Sequence, residues 1–298
     1  MKESIEMGQA EAASSLAQAL RSGRRVITAE CVPAGARDAD AVRRLAAAFP
    51  PSLDALVVSS TGEQSISAVV CSTLLAAQGV EPVLTVLTRD RNRIALLADI
   101  RGAAMLGVRN VLCAPGDHQS LGPYPEAAAA FDVDSVQLIQ LVAQMQDGAA
   151  GPGLFVGGEV YPHLRPLELA LIDIRKKLAA GAQFLMTQPV FDVAEFQEWL
   201  IAVRQEGLPE RVAIIASVQP LETPEQAEAL RGHRRRISDR VMARLRESRE
   251  PAREGIAICA EIAAQLKEIE GVRGINLLWG GTPDAAVEVI ARASLAPA

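Results

Sequence analysis

Four polar side chains stand where the sequence otherwise reads as buried strand or strand exit. They are Glu30 in VITAEC, Asp117 after NVLCAPG, Glu159 in LFVGGEV and Gln188 in FLMTQP. Such groups cost free energy to bury unless they are paired or put to use. Taken singly, each reads equally well as a loop cap or a lysine partner. Two carboxylates and an amide facing one space suit a reaction that delivers a proton to nitrogen or oxygen while hydrogen bonds hold a neutral heterocycle. Glu30, beside Val26, Ile27 and Val32, has the partly apolar surroundings that a general acid near neutral pH needs. The three histidines, His118, His163 and His233, form no convincing set with a serine or cysteine nucleophile, and no metal site is expected. Cys31, Cys71, Cys113 and Cys259 lack metal-type spacing and a disulfide framework. Cys31 and Cys113 lie at strand ends from which they could approach each other; buried free thiols are the plainer reading.

The elements that must position these groups alternate between two periods. Leu171–Asp192 is the clearest stretch: the end of an amphipathic helix, a glycine turn at Gly181, the apolar run Phe184–Met186, then Thr187 and Gln188. Pro189 is expected to stop the strand's pairing. The same pattern gives strands at 26–31, 55–60, 82–87, 110–115, 154–160, 212–218 and 274–280. Helices are expected from Asp38 to Phe49, over 65–79, 92–107, 135–146, 167–180 and 193–205, from Thr223 through Leu230, and from Thr282 onward. A helix over 10–22 lies outside this alternation, within an N-terminal extension of residues 1–24. Residues 231–269 read as a charged helical insertion broken near Pro251. Gly116 to Asp134 is a long Gly-, Pro- and polar-rich loop of the kind that is usually functional.

Eight strand-then-helix units without a linker fit one (β/α)8 TIM barrel spanning residues 1–298, since such barrels need about 250 residues. In that fold the exits of strands one, four and six surround one mouth, so Glu30, Asp117 and Gln188 converge there. No GxGxxG or P-loop pattern follows a strand. A net charge of −6 argues against a nucleic-acid surface, and the basic run 234–236 reads as a solvated face. The polar N-terminus is no signal peptide and no apolar run approaches a membrane span of about 18 residues, so a soluble, cytoplasmic protein is expected.

With those residues in place, the chain resembles the methylenetetrahydrofolate reductase family over roughly 26–291. The likeness is carried by AECVPA around Glu30, RDRN at 89–92, LGVRNVLCAPGD ending at Asp117, FDVDSVQL from Phe131, RKKLAAGAQFLMTQPVFD around Gln188, and GVRGINLLW. The resemblance implies reduction of 5,10-methylenetetrahydrofolate to 5-methyltetrahydrofolate by FAD, itself reduced by NADH, NADPH or another donor. It implies that Glu30 is the acid that helps open the methylene bridge to an iminium. Asp117 would lie near flavin and pterin, and Gln188 would orient the folate. Ser60, Thr85, Gly116, Asp117, Gly157, Lys176 and Lys177 would hold the flavin, the two lysines at its phosphates, though cations are also favoured at any helix end. A homo-oligomer is expected.

The chain departs from the family pattern at three places. Thr85 stands for a strand-three histidine, Val156–Gly157–Gly158–Glu159 replaces an alanine–glycine–tyrosine–proline run, and Thr223–Pro224 lacks a stacking phenylalanine. Only 3% of the chain is aromatic. FMN or no flavin therefore stay open beside FAD, as does electron delivery by a partner subunit in place of NAD(P)H. A folate-binding barrel without redox activity, either a one-carbon transferase or a non-catalytic subunit of a one-carbon complex, is the alternative.

Overall fold

The computed structural model describes residues 14–33, 36, 38–60, 66–122, 124–145, 153–209, 211–231, 236–278 and 283–295. Eight parallel strands close into a barrel in chain order: β1 Val26–Cys31, β2 Ala55–Val58, β3 Pro82–Leu87, β4 Asn110–Ala114, β5 Phe155–Val160, β6 Phe184–Pro189, β7 Ala213–Val218 and β8 Val272–Leu277. The helices between them are α2 Ala39–Ala47, α3 Ala68–Ala76, α4 Arg93–Met105, α5 Ser135–Gln144, α6 Leu167–Ala179 and α7 Val193–Gln205. After β7 come α8 Pro224–Leu230, α9 Asp239–Glu247 and α10 Pro251–Glu268, and α11 Pro283–Arg292 follows β8. No helix among the described residues is long and apolar enough to cross a membrane.

The helix boundaries follow from local chemistry. Asp38, Asn92, Asp134, Asp192 and Thr223 each accept a backbone N–H from the first turn of the helix they precede, meeting donors the helix cannot satisfy itself. Gly79, Gly107 and Gly181 leave helices at positive φ, where a side chain would be strained. Asp38 caps as expected, but α2 ends at Ala47, short of Phe49. Pro251 opens α10 at its first turn, so the break near it divides α9 from α10. Of the helices between β7 and β8, α10 takes the place in the outer layer. Its Ile258, Cys259, Ile262, Ala263 and Leu266 are buried in the main core, and α8 and α9 are the additions. The starts expected at 10–13, 65 and 282, and residues 233–235, 279 and 280, lie outside the described residues.

Alternation of side chains along each strand divides the apolar residues between two cores. Outward residues such as Ile27, Leu84, Val111, Leu185 and Ile275 pack under the helices. Inward ones, among them Val26, Val57, Val83, Leu112, Phe155, Phe184, Met186 and Ile215, fill the barrel. The helix α1, Ser15–Arg21, belongs to this second core. Leu16 and Leu20 are buried with the inward residues, each contributing about 1.5–3 kcal/mol by leaving water. Polar ties hold the plug. Ser14 Oγ donates to Asn110 Oδ1 at 2.5 Å, Asn110 Nδ2 donates to Glu81 at 2.8 Å, and Arg273 donates to the Leu20 carbonyl at 2.6 Å. With the strands' N-terminal end closed in this way, the C-terminal mouth is left for a site.

β6 corrects one expectation. Pairing with β7 continues through Pro189, which lies opposite Ser217 after a shift of register between Met186 and Pro189. Proline lacks an N–H, but its neighbour Val190 donates to Ser217 O at 2.8 Å and Ser217 N donates to Thr187 Oγ1 at 2.9 Å. A side-chain hydroxyl and the next residue restore the ladder that proline interrupts.

Candidate active site

A run of inward polar side chains crosses six neighbouring strands near the mouth. On β5 and β6, Gln188 Nε2 donates to Glu159 Oε1, and Tyr161, just beyond β5, donates its hydroxyl to Glu159 Oε2 at 2.6 Å. Across β7, β8 and β1, Asn276 Nδ2 donates to Ser217 Oγ at 3.2 Å and Thr28 Oγ1 donates to Asn276 Oδ1 at 2.8 Å. Between β1 and the end of β2, Ser59 Oγ donates to Glu30 Oε1 at 2.8 Å. Thr28, Ser59, Ser217 and Asn276 are buried, while Glu30, Glu159, Tyr161 and Gln188 are half-buried, as groups at the rim of a pocket would be. On β3, Thr85 carries a buried hydroxyl with no hydrogen-bond partner among the described residues. The arrangement holds two carboxylates in fixed rotamers over a hydrogen-bonded floor. It can give or take a proton at Glu30 and accept hydrogen bonds from a polar heterocycle.

The remaining expected residues fall in three places. Asp117 is exposed on the loop after β4, where its carbonyl accepts from Arg89 Nη1 at 2.8 Å, and Gly116 turns into that loop with φ +76°. Ser60 is spent locally: its Oγ donates to Ile66 O and accepts from Ala68 N at 2.6 Å, closing the start of α3. Gly157 faces the barrel interior, where a Cβ would come within 2.3 Å of the Phe184 ring. That ring stacks on Phe155 with centroids 4.9 Å apart, so aromatic carbon fills the space beside Gly157.

Lys176 and Lys177 part company although they are adjacent. Lys176 is exposed, whereas Lys177 turns under β5 and is 1% exposed. Its Nζ donates to Asp173 Oδ2 and to the Glu159 carbonyl, both at 2.5 Å, and lies 5.8 Å from the centroid of the Tyr161 ring. A cavity of about 510 Å³ opens beside it, lined by Pro115, Tyr161, His163, Arg165, Asp173 and Lys177 among others. Two of the three ammonium protons of Lys177 are used within the fold. Arg165 adds a second cation on that wall, although Glu195 pairs with it at 3.1 Å. Two cations on this wall carry the charge that the phosphate tail of a flavin needs, while Thr85 on β3 is not among the groups lining the cavity.

Sequence reasoning missed Ser59, Tyr161, Asp173 and the Thr28–Asn276–Ser217 chain. A signal for the last was present, since Thr28 in VITAEC, Ser217 in AIIASV and Asn276 in VRGINL each stand between apolar neighbours. Cys31 and Cys113 do not pair up. The Cys31 thiol instead meets Cys71 of α3, and that contact together with burial pushes Cys31 up from its ordinary value.

The family model described as Methylenetetrahydrofolate reductase matches residues 15–290. The 5,10-methylenetetrahydrofolate reductase of Salmonella typhimurium is 25% identical over 191 residues, covering 63% of this chain and 60% of that protein. That of Pectobacterium carotovorum is 24% identical over 189 residues, covering 63% and 59%. The aligned stretch thus spans about three-fifths of these relatives. Among solved structures, an uncharacterized protein from Clostridium thermocellum that binds two copies of 5-methyl-5,6,7,8-tetrahydrofolic acid superposes with a TM-score of 0.67 at 15% identity. It covers 94% of this chain and 98% of its own. A 2,3-dimethylmalate lyase superposes with a TM-score of 0.53 at 12% identity, covering 94% and 84%. Both likenesses concern the barrel.

Proposed function

The chain belongs to the methylenetetrahydrofolate reductase family, and from that premise we propose that it reduces 5,10-methylenetetrahydrofolate to 5-methyltetrahydrofolate by hydride transfer from a reduced flavin. The observation that carries the reading is the pair of tied polar groups at one mouth, Glu30 with Ser59 and Gln188 with Glu159. Glu30 donates the proton that lets the folate's methylene bridge open, with Ser59 fixing its carboxyl group toward the reacting nitrogen. Gln188 holds the pterin by hydrogen bonds. Asp117, on the β4 loop, supplies negative charge that favours the cationic iminium over its neutral precursor. Bound, a flavin would supply the hydride, and Thr85, Gly116, Lys177 and Arg165 would hold it. A reduced folate as ligand also agrees with what the fold neighbour from Clostridium thermocellum binds.

A second reading, a folate-binding barrel without redox activity, has its own support. Phe184 occupies the space beside Gly157, and Asp173 neutralises much of the charge that Lys177 would bring to a phosphate. One experiment separates the two. The purified protein, reconstituted with FAD or FMN, is reduced by NADH, NADPH or dithionite without oxygen, and reoxidation by methylenetetrahydrofolate is followed in the flavin band. Wild type is expected to bleach and reoxidise. Glu30→Gln is expected to bleach normally and to reoxidise at least about a hundredfold more slowly, the lower end of the range for loss of a general acid. Bleaching with dithionite but not with NAD(P)H assigns electron delivery to a partner protein. Equal loss of both half-reactions in Glu30→Gln would contradict its role. Folate binding with no flavin uptake would establish the second reading.

A further inference from the structure

Gln188 has a partner that settles which way round its amide lies. An ionised carboxylate only accepts hydrogen bonds, and both Glu159 oxygens do so, Oε1 from Gln188 Nε2 and Oε2 from the Tyr161 hydroxyl at 2.6 Å. Reversed, the amide would set its oxygen against that carboxylate. The nitrogen is therefore pinned to Glu159, and Oε1 is turned away from it. The pin is itself braced from behind, because Lys177 on α6 donates to the Glu159 carbonyl at 2.5 Å and its ammonium lies 5.8 Å from the Tyr161 ring centroid.

We propose that Glu159 and Tyr161 are positioning residues that present the carbonyl oxygen of Gln188 to the ligand, so that the mouth selects a heterocycle edge that donates hydrogen bonds. On the folate reading, on which this ligand assignment rests, that edge is the amino and ring N–H edge of a reduced pterin. Gln188 Oε1 thus offers an acceptor beside the proton-donating Glu30, and a heterocycle edge of acceptors would meet repulsion at Gln188. Orientation of the amide, unlike contact with the ligand, acts wholly through Gln188.

A double-mutant cycle reads that dependence. Wild type, Glu159→Gln, Gln188→Ala and the double variant are titrated with 5-methyltetrahydrofolate, and each is checked for an unchanged melting transition. Glu159→Gln alone is expected to bind about tenfold more weakly, the loss of one oriented hydrogen bond, and to change binding less than about twofold in the Gln188→Ala background. Tyr161→Phe keeps the ring over Lys177 and is expected to show a smaller loss with the same dependence on Gln188. Additive losses, or no loss in Glu159→Gln, would overturn the positioning role. A second readout needs no ligand: in nitrogen–proton spectra one Gln188 amide proton, identified by its absence in Gln188→Ala, is expected far downfield in wild type and shifted back in Glu159→Gln. An unmoved signal would also overturn it. If wild type fails to bind 5-methyltetrahydrofolate while the downfield proton is present, the folate reading and the pterin assignment fall and the orientation of Gln188 stands.

Discussion

At Lys177 support of the fold competes with the proposed binding of a ligand. Sequence placed it beside Lys176 as one of two cations at a helix end, and nothing in the run RKKLAAG separates them. A helix turns by about 100° per residue, which puts one on the solvent face and the other under β5. There its stem packs among apolar groups while its ammonium ties Asp173 to the Glu159 carbonyl. Lys177→Met keeps the stem and removes both bonds, leaving a buried carbonyl and a carboxylate without their donor. The Asp173 side chain is 29% exposed, so water recovers part of the loss, and about 2 kcal/mol of stability should go. Urea denaturation of protein free of flavin and folate measures this. An unchanged midpoint would mean that the internal bonds contribute nothing and that Lys177 is kept for the ligand alone. Tyr161 shows the limit of reading residue by residue. It lies one position past β5, two residues from Glu159 and on the same face of the extended chain, so its hydroxyl reaches that carboxylate only if the strand direction continues beyond Val160.

Two glycines inside helices show how tertiary context overrides the propensity of an element. Both Gly102 in α4 and Gly255 in α10 interrupt good helix formers, and by propensity alone alanine at either should add about 0.5–1 kcal/mol. Gly102 is exposed, and a Cβ there meets nothing within 4 Å. At Gly255 a Cβ would lie 1.7 Å from the carbonyl oxygen of Leu221, which is backbone and cannot rotate away. Relief requires α10 to move off the loop between β7 and α8, undoing packing around Ile258 and Leu221. Gly102→Ala should therefore raise the denaturation midpoint. Gly255→Ala should lower stability by about 3 kcal/mol or more, since overpacking outweighs the gain in propensity. A stabilised Gly255→Ala would show that α10 is not seated as described. The same distinction explains what was legible in the elements. Caps and terminal glycines are local, so Asp38, Asn92, Thr223, Gly79 and Gly181 marked their helices from sequence. The seating of α10 on Leu221 and of α1 in the barrel floor depends on residues far along the chain, and no period within either helix records it.

At the scale of the whole molecule, alternation of eight apolar strands with helices was enough to indicate the barrel, because a closed parallel sheet needs helices outside every strand. The mouth was legible to the extent that Glu30, Glu159 and Gln188 are charged or amide groups at inward positions. The ties among them were not, since they join neighbouring strands 29 residues apart in sequence. The helical layer has a further consequence, which depends on the packing of strands against helices all round the barrel. Cys113 on β4 and Cys259 on α10 lie fully within it, and burial pushes both thiols up from their ordinary value because a thiolate would be stripped of water there. A folded value raised above the unfolded one means that the native state holds its proton longer. The stabilisation is then complete below the unfolded thiol value of about 8.5 and declines as pH rises above it toward the folded values. Each thiol can remove up to about 1.4 kcal/mol per pH unit in that window. Urea midpoints taken between pH 8 and pH 10 under reducing conditions should fall, and Cys113→Ala with Cys259→Ala should flatten the fall while lowering the midpoint at pH 7. An alkaline limb equally steep in the double variant would assign it to other groups, the buried Cys31 among them.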